Sequence, residues 1–181
     1  MDGPPKGGHY VRILGVAAMA TVALHASGLT FAAPEGWRKV ATTSSMRVAD
    51  FALPHVDGDS EDAELVLYYF GGGGGSVDAN IQRWVGQMQQ PDGRESSAVA
   101  KKETRKVNGL DVTLLDLTGT YVAEMSPGAS EHNNKPRFRL RAAVIDTPKG
   151  AYYIKLTGPE RTIAKWSPSF EQFVGSLRFA A

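Results

Sequence analysis

Short runs with a two-residue hydrophobic period alternate along this chain with two stretches of helical period. Leu29-Thr30-Phe31-Ala32 reads as a first strand, followed by a turn at Pro34-Glu35-Gly36 and an aromatic anchor at Trp37. Met46, Val48, Phe51 and Leu53 lie in an extended run that Pro54 stops, and the polar stretch 55–64 is a loop. The β-branched and aromatic run from Leu65 to Phe70 predicts a central strand. After five glycines, Ser76 is a good N-cap and Asp78 places negative charge on a first helical turn. Val77, Ile81, Trp84, Val85 and Met88 then form one apolar stripe, which predicts a helix running on until Pro91-Asp92-Gly93.

The second half opens with the clearest hairpin signal in the chain. Strands over Val99 to Val107 and Leu110 to Val122 flank Asn108-Gly109. A long polar loop, roughly Glu124 to Pro136, leads to a strand at Phe138 to Ile145, and Pro148-Lys149-Gly150 turns it into Tyr152 to Leu156. Gly158-Pro159 opens a short helix carrying Ile163 and Trp166. Ser167-Pro168 is expected to restart a second helix, with Phe170, Phe173, Val174 and Leu177 as its buried stripe. Hairpin-linked strands with interspersed helices imply an α+β fold, a mostly antiparallel sheet covered by helices.

The N-terminus follows a different pattern. Lys6 and Arg12 precede an apolar run from Ile13 to Leu24, and small residues close it at Ala26, Ser27 and Gly28. Basic head, apolar middle and small-residue exit are the pattern of a secretory signal. The run would rise about 18 Å as a helix, short of the roughly 30 Å hydrocarbon core, and an uncleaved anchor reaching Ala33 would have to bury His25. The expectation is a signal peptide over 1–26 and a single domain over 27–181, exported to the periplasm or beyond. No stable membrane span would remain after cleavage.

Charge and composition narrow the chemistry. Taking Lys6 and Arg12 from 20 basic residues and Asp2 from 19 acidic ones leaves 18 of each, so net charge gives no steering toward nucleic acid or membrane. The chain has no cysteine, which excludes disulfides, thiol nucleophiles and zinc–thiolate sites. Only His55 and His132 lie beyond the signal, and neither an HExxH helix nor a G-x-S-x-G elbow occurs, so no catalytic residue, metal ligand set or cofactor is expected.

Two features are candidate binding sites. Gly73, Gly74 and Gly75 lead into Ser76 and Val77 at a helix start, where backbone N–H groups and the helix dipole suit a small anion. The turn lacks the Gly-Lys-Ser/Thr ending of a phosphate loop, and a flexible connection is the alternative. Arg137, Arg139 and Arg141 fall at alternate positions and would share one face of a strand as an interaction surface, unless Asp111 and Asp116 neutralise them across strands. The acidic loop holding Asp57, Asp59, Glu61, Asp62 and Glu64 has calcium-loop spacing at its start. Asp62 and Tyr68 occupy the places where an EF-hand needs glycine and glutamate, so it reads as a solvated connection.

Four segments together carry a family likeness: Phe31-x-x-Pro34-x-Gly36-Trp37, the strand to Phe70 with its glycine exit, Ser76 to Trp84, and Tyr152 to Pro159. In these the chain resembles a group of uncharacterised exported bacterial proteins and, more distantly, the PsbP and Mog-type α/β/α sandwich. The resemblance implies a six- or seven-stranded antiparallel sheet between helices and a non-enzymatic accessory role. The partner would be an envelope protein or a small anionic ligand.

Overall fold

The alternation of buried and exposed side chains builds one continuous antiparallel sheet with a helix on each face. The computed structural model describes residues 28–180, so the expected signal segment lies outside the described residues. The elements are β1 (Leu29–Thr30), β2 (Arg38–Val40), β3 (Arg47–Leu53), β4 (Ala63–Tyr69), α1 (Val77–Val85), β5 (Met88–Gln89), β6 (Lys101–Val107), β7 (Leu110–Tyr121), β8 (Lys135–Asp146), β9 (Tyr152–Pro159), α2 (Glu160–Ser176) and β10 (Arg178–Phe179). The main sheet runs β2-β3-β4-β9-β8-β7, and the outer edge of β7 is shared by β6 and β5. It therefore has eight strands, one more than the upper expectation, because β2 and β5 are too short to show a period in sequence. The first strand, β1, is not part of it and pairs instead with β10.

One face packs under α2. Phe51, Leu65, Leu67, Val112, Ile145, Tyr152, Ile154 and Leu156 alternate along the strands to meet Ile163, Phe170, Phe173 and Val174. The other face packs under α1, where Ile81 and Trp84 meet Leu115, Leu117, Leu140, Val144 and Tyr153. The 6–7 hairpin turns on Asn108 and Gly109 at φ 48° and 87°, the left-handed pair that a two-residue type I′ turn requires. The Asn108 side chain also donates to Gly175 O and Leu177 O, at 2.9 and 2.8 Å, and ties the hairpin to the end of α2.

Two helix boundaries differ from expectation. The first helix stops at Val85 rather than continuing through Met88. Gly86 breaks it, and Gln87 O then accepts from Val122 N at 2.8 Å, drawing Met88 into the sheet as β5. Met88 still reaches the same core, because the strand delivers it to the space the helical stripe would have filled. The second helix is uninterrupted across Pro168. Ser167 does not restart it; its hydroxyl donates back to Ile163 O at 2.8 Å. The start of α2 is capped from outside, where Asp59 Oδ2 accepts from Thr162 N at 3.0 Å and from the Thr162 hydroxyl at 2.7 Å. The acidic loop is thus a pinned connection with a capping residue.

Candidate functional site

The glycine turn is tied down through its carbonyls. Tyr153 donates to Gly75 O at 3.1 Å, and Asn80 donates to Gly74 O and Ser76 O at 2.8 and 2.9 Å. Any side chain at Gly74 would collide with the Tyr153 ring, so glycine is needed there for close approach. Ser76 caps the helix as expected, accepting from Ala79 N at 3.2 Å, and Val77 packs half-buried on the second core. Asp78, in the first turn, pairs with Lys102 at 2.7 Å.

The three arginines do not form one face. Arg137 sits at φ 56°, next to the register shift between Gly119 and Tyr121, and breaks the alternation. Arg139 makes a two-pronged pair with Asp116, at 2.7 and 2.5 Å. Arg141 is buried, donates to Glu171 at 2.5 Å and lies 4.4 Å above the Phe170 ring. Asp116 thus neutralises across strands, as one of the two readings had it. Asp111 pairs with Lys106 instead.

Histidine chemistry stays local: His55 contacts Asp62 at 2.7 Å, and His132 Nδ1 lies 3.0 Å from Val122 O. Among the described residues no three His, Asp or Glu side chains converge as a metal site, and no helix is long and apolar enough to cross a membrane. A groove of about 670 Å³ runs between α1 and the start of β6, with Ile81, Val85, Met88 and Leu115 at its floor and Arg94 and Lys102 at its rim. Both rim cations are already paired, to Asp92 and Asp78.

The unusual chemistry lies on the α1 face of the sheet, over β3, β4 and β9. There Val66, at 3 % exposure, and Lys155 face each other across β4 and β9. Lys155 Nζ donates to the Tyr121 hydroxyl at 2.9 Å and lies 5.1 Å from the centre of that ring. Tyr68 stacks on Phe70 at 5.8 Å, Phe70 meets Tyr153 at 5.4 Å, and the Arg47 guanidinium covers Tyr68 at 5.6 Å. Arg47 is held by Asp50 at 2.8 Å and Glu64 at 3.2 Å. Burial pushes the Lys155 ammonium down to about 8; Glu64 opposes this, while Arg83 and Arg47 act in the same direction as burial. Burial, reinforced by Glu64 and Tyr68, pushes the Tyr121 phenol up to about 12.

These shifts have opposite consequences for stability. Unfolded Lys155 keeps its proton to about 10.5 and folded Lys155 only to about 8, so the unfolded chain binds more protons between these values. Stability therefore rises with pH across that window. Tyr121 holds its proton to about 12 when folded against 10.0 when free, so from there upward stability falls again. Lys155→Met should abolish the rising limb and leave the falling one, as read by denaturant unfolding between about pH 7 and about pH 12.

One residue of this cluster stands out in the sequence, Lys155. It is a lysine inside the apolar run Tyr152 to Leu156, at the position where period two points into the sheet. Arg83 and Tyr121 carry no such signal, since each is ordinary on its own element.

Several solved structures are similar to this chain. Its fold is similar to that of PsbP. The solution structure of the cyanobacterial PsbP protein CyanoP from Synechocystis is 14 % identical, with a TM-score of 0.49 over 84 % of this chain and 87 % of that one. LpqN, involved in cell envelope biogenesis of Mycobacterium tuberculosis, is 10 % identical, with a TM-score of 0.49 over 86 % and 87 %. A Pseudomonas aeruginosa protein of unknown function is 16 % identical, with a TM-score of 0.47 over 73 % and 82 %. No family model and no curated protein matches the sequence. At these identities the likeness to PsbP concerns the fold alone.

Proposed function

We propose that this chain acts without catalysis, as an exported accessory module of the cell envelope, and that it binds through the part of its second sheet face around Lys155. The observation that carries this reading is the half-buried ammonium of Lys155, which meets a phenol and no carboxylate. A fold that needed only its own stability would leave such a cation at the rim, as it does with Lys39, Lys101 and Lys149. The half-exposed aromatics Tyr68, Phe70 and Tyr121 around it supply contact area of the kind that binding faces use. The export part rests on the N-terminal pattern of Lys6, Arg12 and the apolar run from Ile13 to Leu24.

Hydroxyl-radical footprinting of the protein in intact envelopes and after purification tests both parts. Oxidation of Tyr68 and Tyr121 should rise on purification, while the exposed Met125 in the 124–134 loop should not change. Equal oxidation of the tyrosines in both preparations would overturn the binding face, and an intact Met1 in the envelope form would overturn the signal peptide.

A further inference from the structure

We infer that the α1-side face of the sheet around Lys155 binds the carboxylate of a small aromatic acid, held by Lys155, Arg83 and the Tyr121 hydroxyl. This rests on the binding face proposed above and names its ligand. Among the described residues, the basic side chains with no carboxylate partner are all exposed except Lys155. Glu64, the carboxylate facing it from β4, instead bonds Arg47 at 3.2 Å. Asp50 on β3 likewise holds Arg47.

Arg83 is the second cation, and the fold goes to some length to aim it. Tyr153 bonds Gly75 O, Asn80 bonds Gly74 O, and the Asn80 amide oxygen accepts from the Arg83 guanidinium. Asn80 is itself 1 % exposed, so this chain of bonds is fixed by the core. Arg83 has no carboxylate partner, and its charge reaches both Lys155 and Tyr153. The glycine turn therefore contributes to this anion site indirectly, by positioning Arg83 through Asn80.

The ligand class follows from the donors. The Tyr121 oxygen accepts from Lys155, which leaves its own O–H free to donate. A planar carboxylate matches one guanidinium edge plus two single donors. A phosphate dianion would bring a second charge beside Glu64, so the monoanion is favoured. Tyr68 and Phe70 stack on each other with Arg47 over Tyr68, and the partly exposed edges that remain favour an aromatic body through edge-to-face contact.

Benzoate, its neutral isostere benzamide and inorganic phosphate are the probes, titrated into isotope-labelled protein and followed by NMR. Benzoate should move the signals of Lys155, Arg83, Tyr121 and Tyr68, and raise the Lys155 pKa by at least about one unit, since an anion favours the charged amine. Lys155→Met should weaken benzoate at least about tenfold, and Arg83→Gln, on an exposed helix position, about three- to tenfold. If Lys155→Met does not fold, Arg83→Gln and Tyr121→Phe carry the test. Benzoate and benzamide binding equally at this face would overturn carboxylate recognition and leave the binding face standing. Phosphate binding there more tightly than benzoate would overturn the ligand class. Shifts confined to the α1–β6 groove, or no shifts with any probe, would overturn both the site and the face.

Discussion

Replacing Phe173 by alanine will cost about 3–5 kcal/mol of unfolding free energy, the largest effect of any single truncation in the chain. Phe173 is fully buried, with its ring 5.1 Å from Phe31, 5.2 Å from Trp37 and 6.3 Å from Phe51. It therefore joins α2 to the β1 arm, the following turn and the sheet at once. Deleting it removes both the buried ring and the edge-to-face contacts, and the three aromatics left around it cannot collapse smoothly into the gap. For a domain whose whole stability is about 5–15 kcal/mol this is a large fraction. Chemical denaturation should show the midpoint falling with the slope unchanged. A loss below about 1 kcal/mol would mean that α2 is not anchored as described.

The second large effect is expected at Asp116. Asp116→Ala should cost about 2–3 kcal/mol, because it strands Arg139 and leaves Arg141 with Glu171 alone. The pair is partly solvated, with side-chain exposures of 23 % for Arg139 and 25 % for Asp116, which keeps the cost below that of a fully buried pair. Although burial pushes Glu171 up, bonds from Arg105 and Arg141 hold its carboxyl below the usual range. The remaining acid is thus already engaged and cannot replace Asp116. Asp116→Leu combined with Arg139→Met should recover most of the loss, since an apolar pair removes both charges together. Recovery would show that these arginines serve the fold; a double variant as unstable as the single one would contradict the pairing.

Much of the strand pattern was legible from residues. The β-branched and aromatic runs Leu65 to Phe70 and Tyr152 to Leu156, and Asn108-Gly109 between its strands, each specify local geometry without help from distant contacts. Where expectation and structure part, a long-range contact decides. The helical stripe through Met88 is genuine in spacing, yet Val122 N takes Gln87 O and turns the segment into an edge strand. Ser167-Pro168 has the form of a helix start, but the core contacts of Ile163 and Phe170 on either side hold one continuous helix. The arginines at alternate positions look like one face until Arg137 adopts a left-handed conformation.

The sequence by itself determined the composition limits, the absence of cysteine chemistry, most strands and the α+β class, because these depend on residue type and on periods of two or 3.6 within one segment. Tertiary structure alone decided the candidate site. Lys155 lies on β9, Tyr121 on β7, Tyr68 on β4 and Arg83 on α1, and only the strand order β4-β9-β8-β7 brings them to one face. Whether a lysine is a rim charge or a half-buried amine pushed down to about 8 depends on what covers it, and that cover comes from residues 34 and more positions away in the chain.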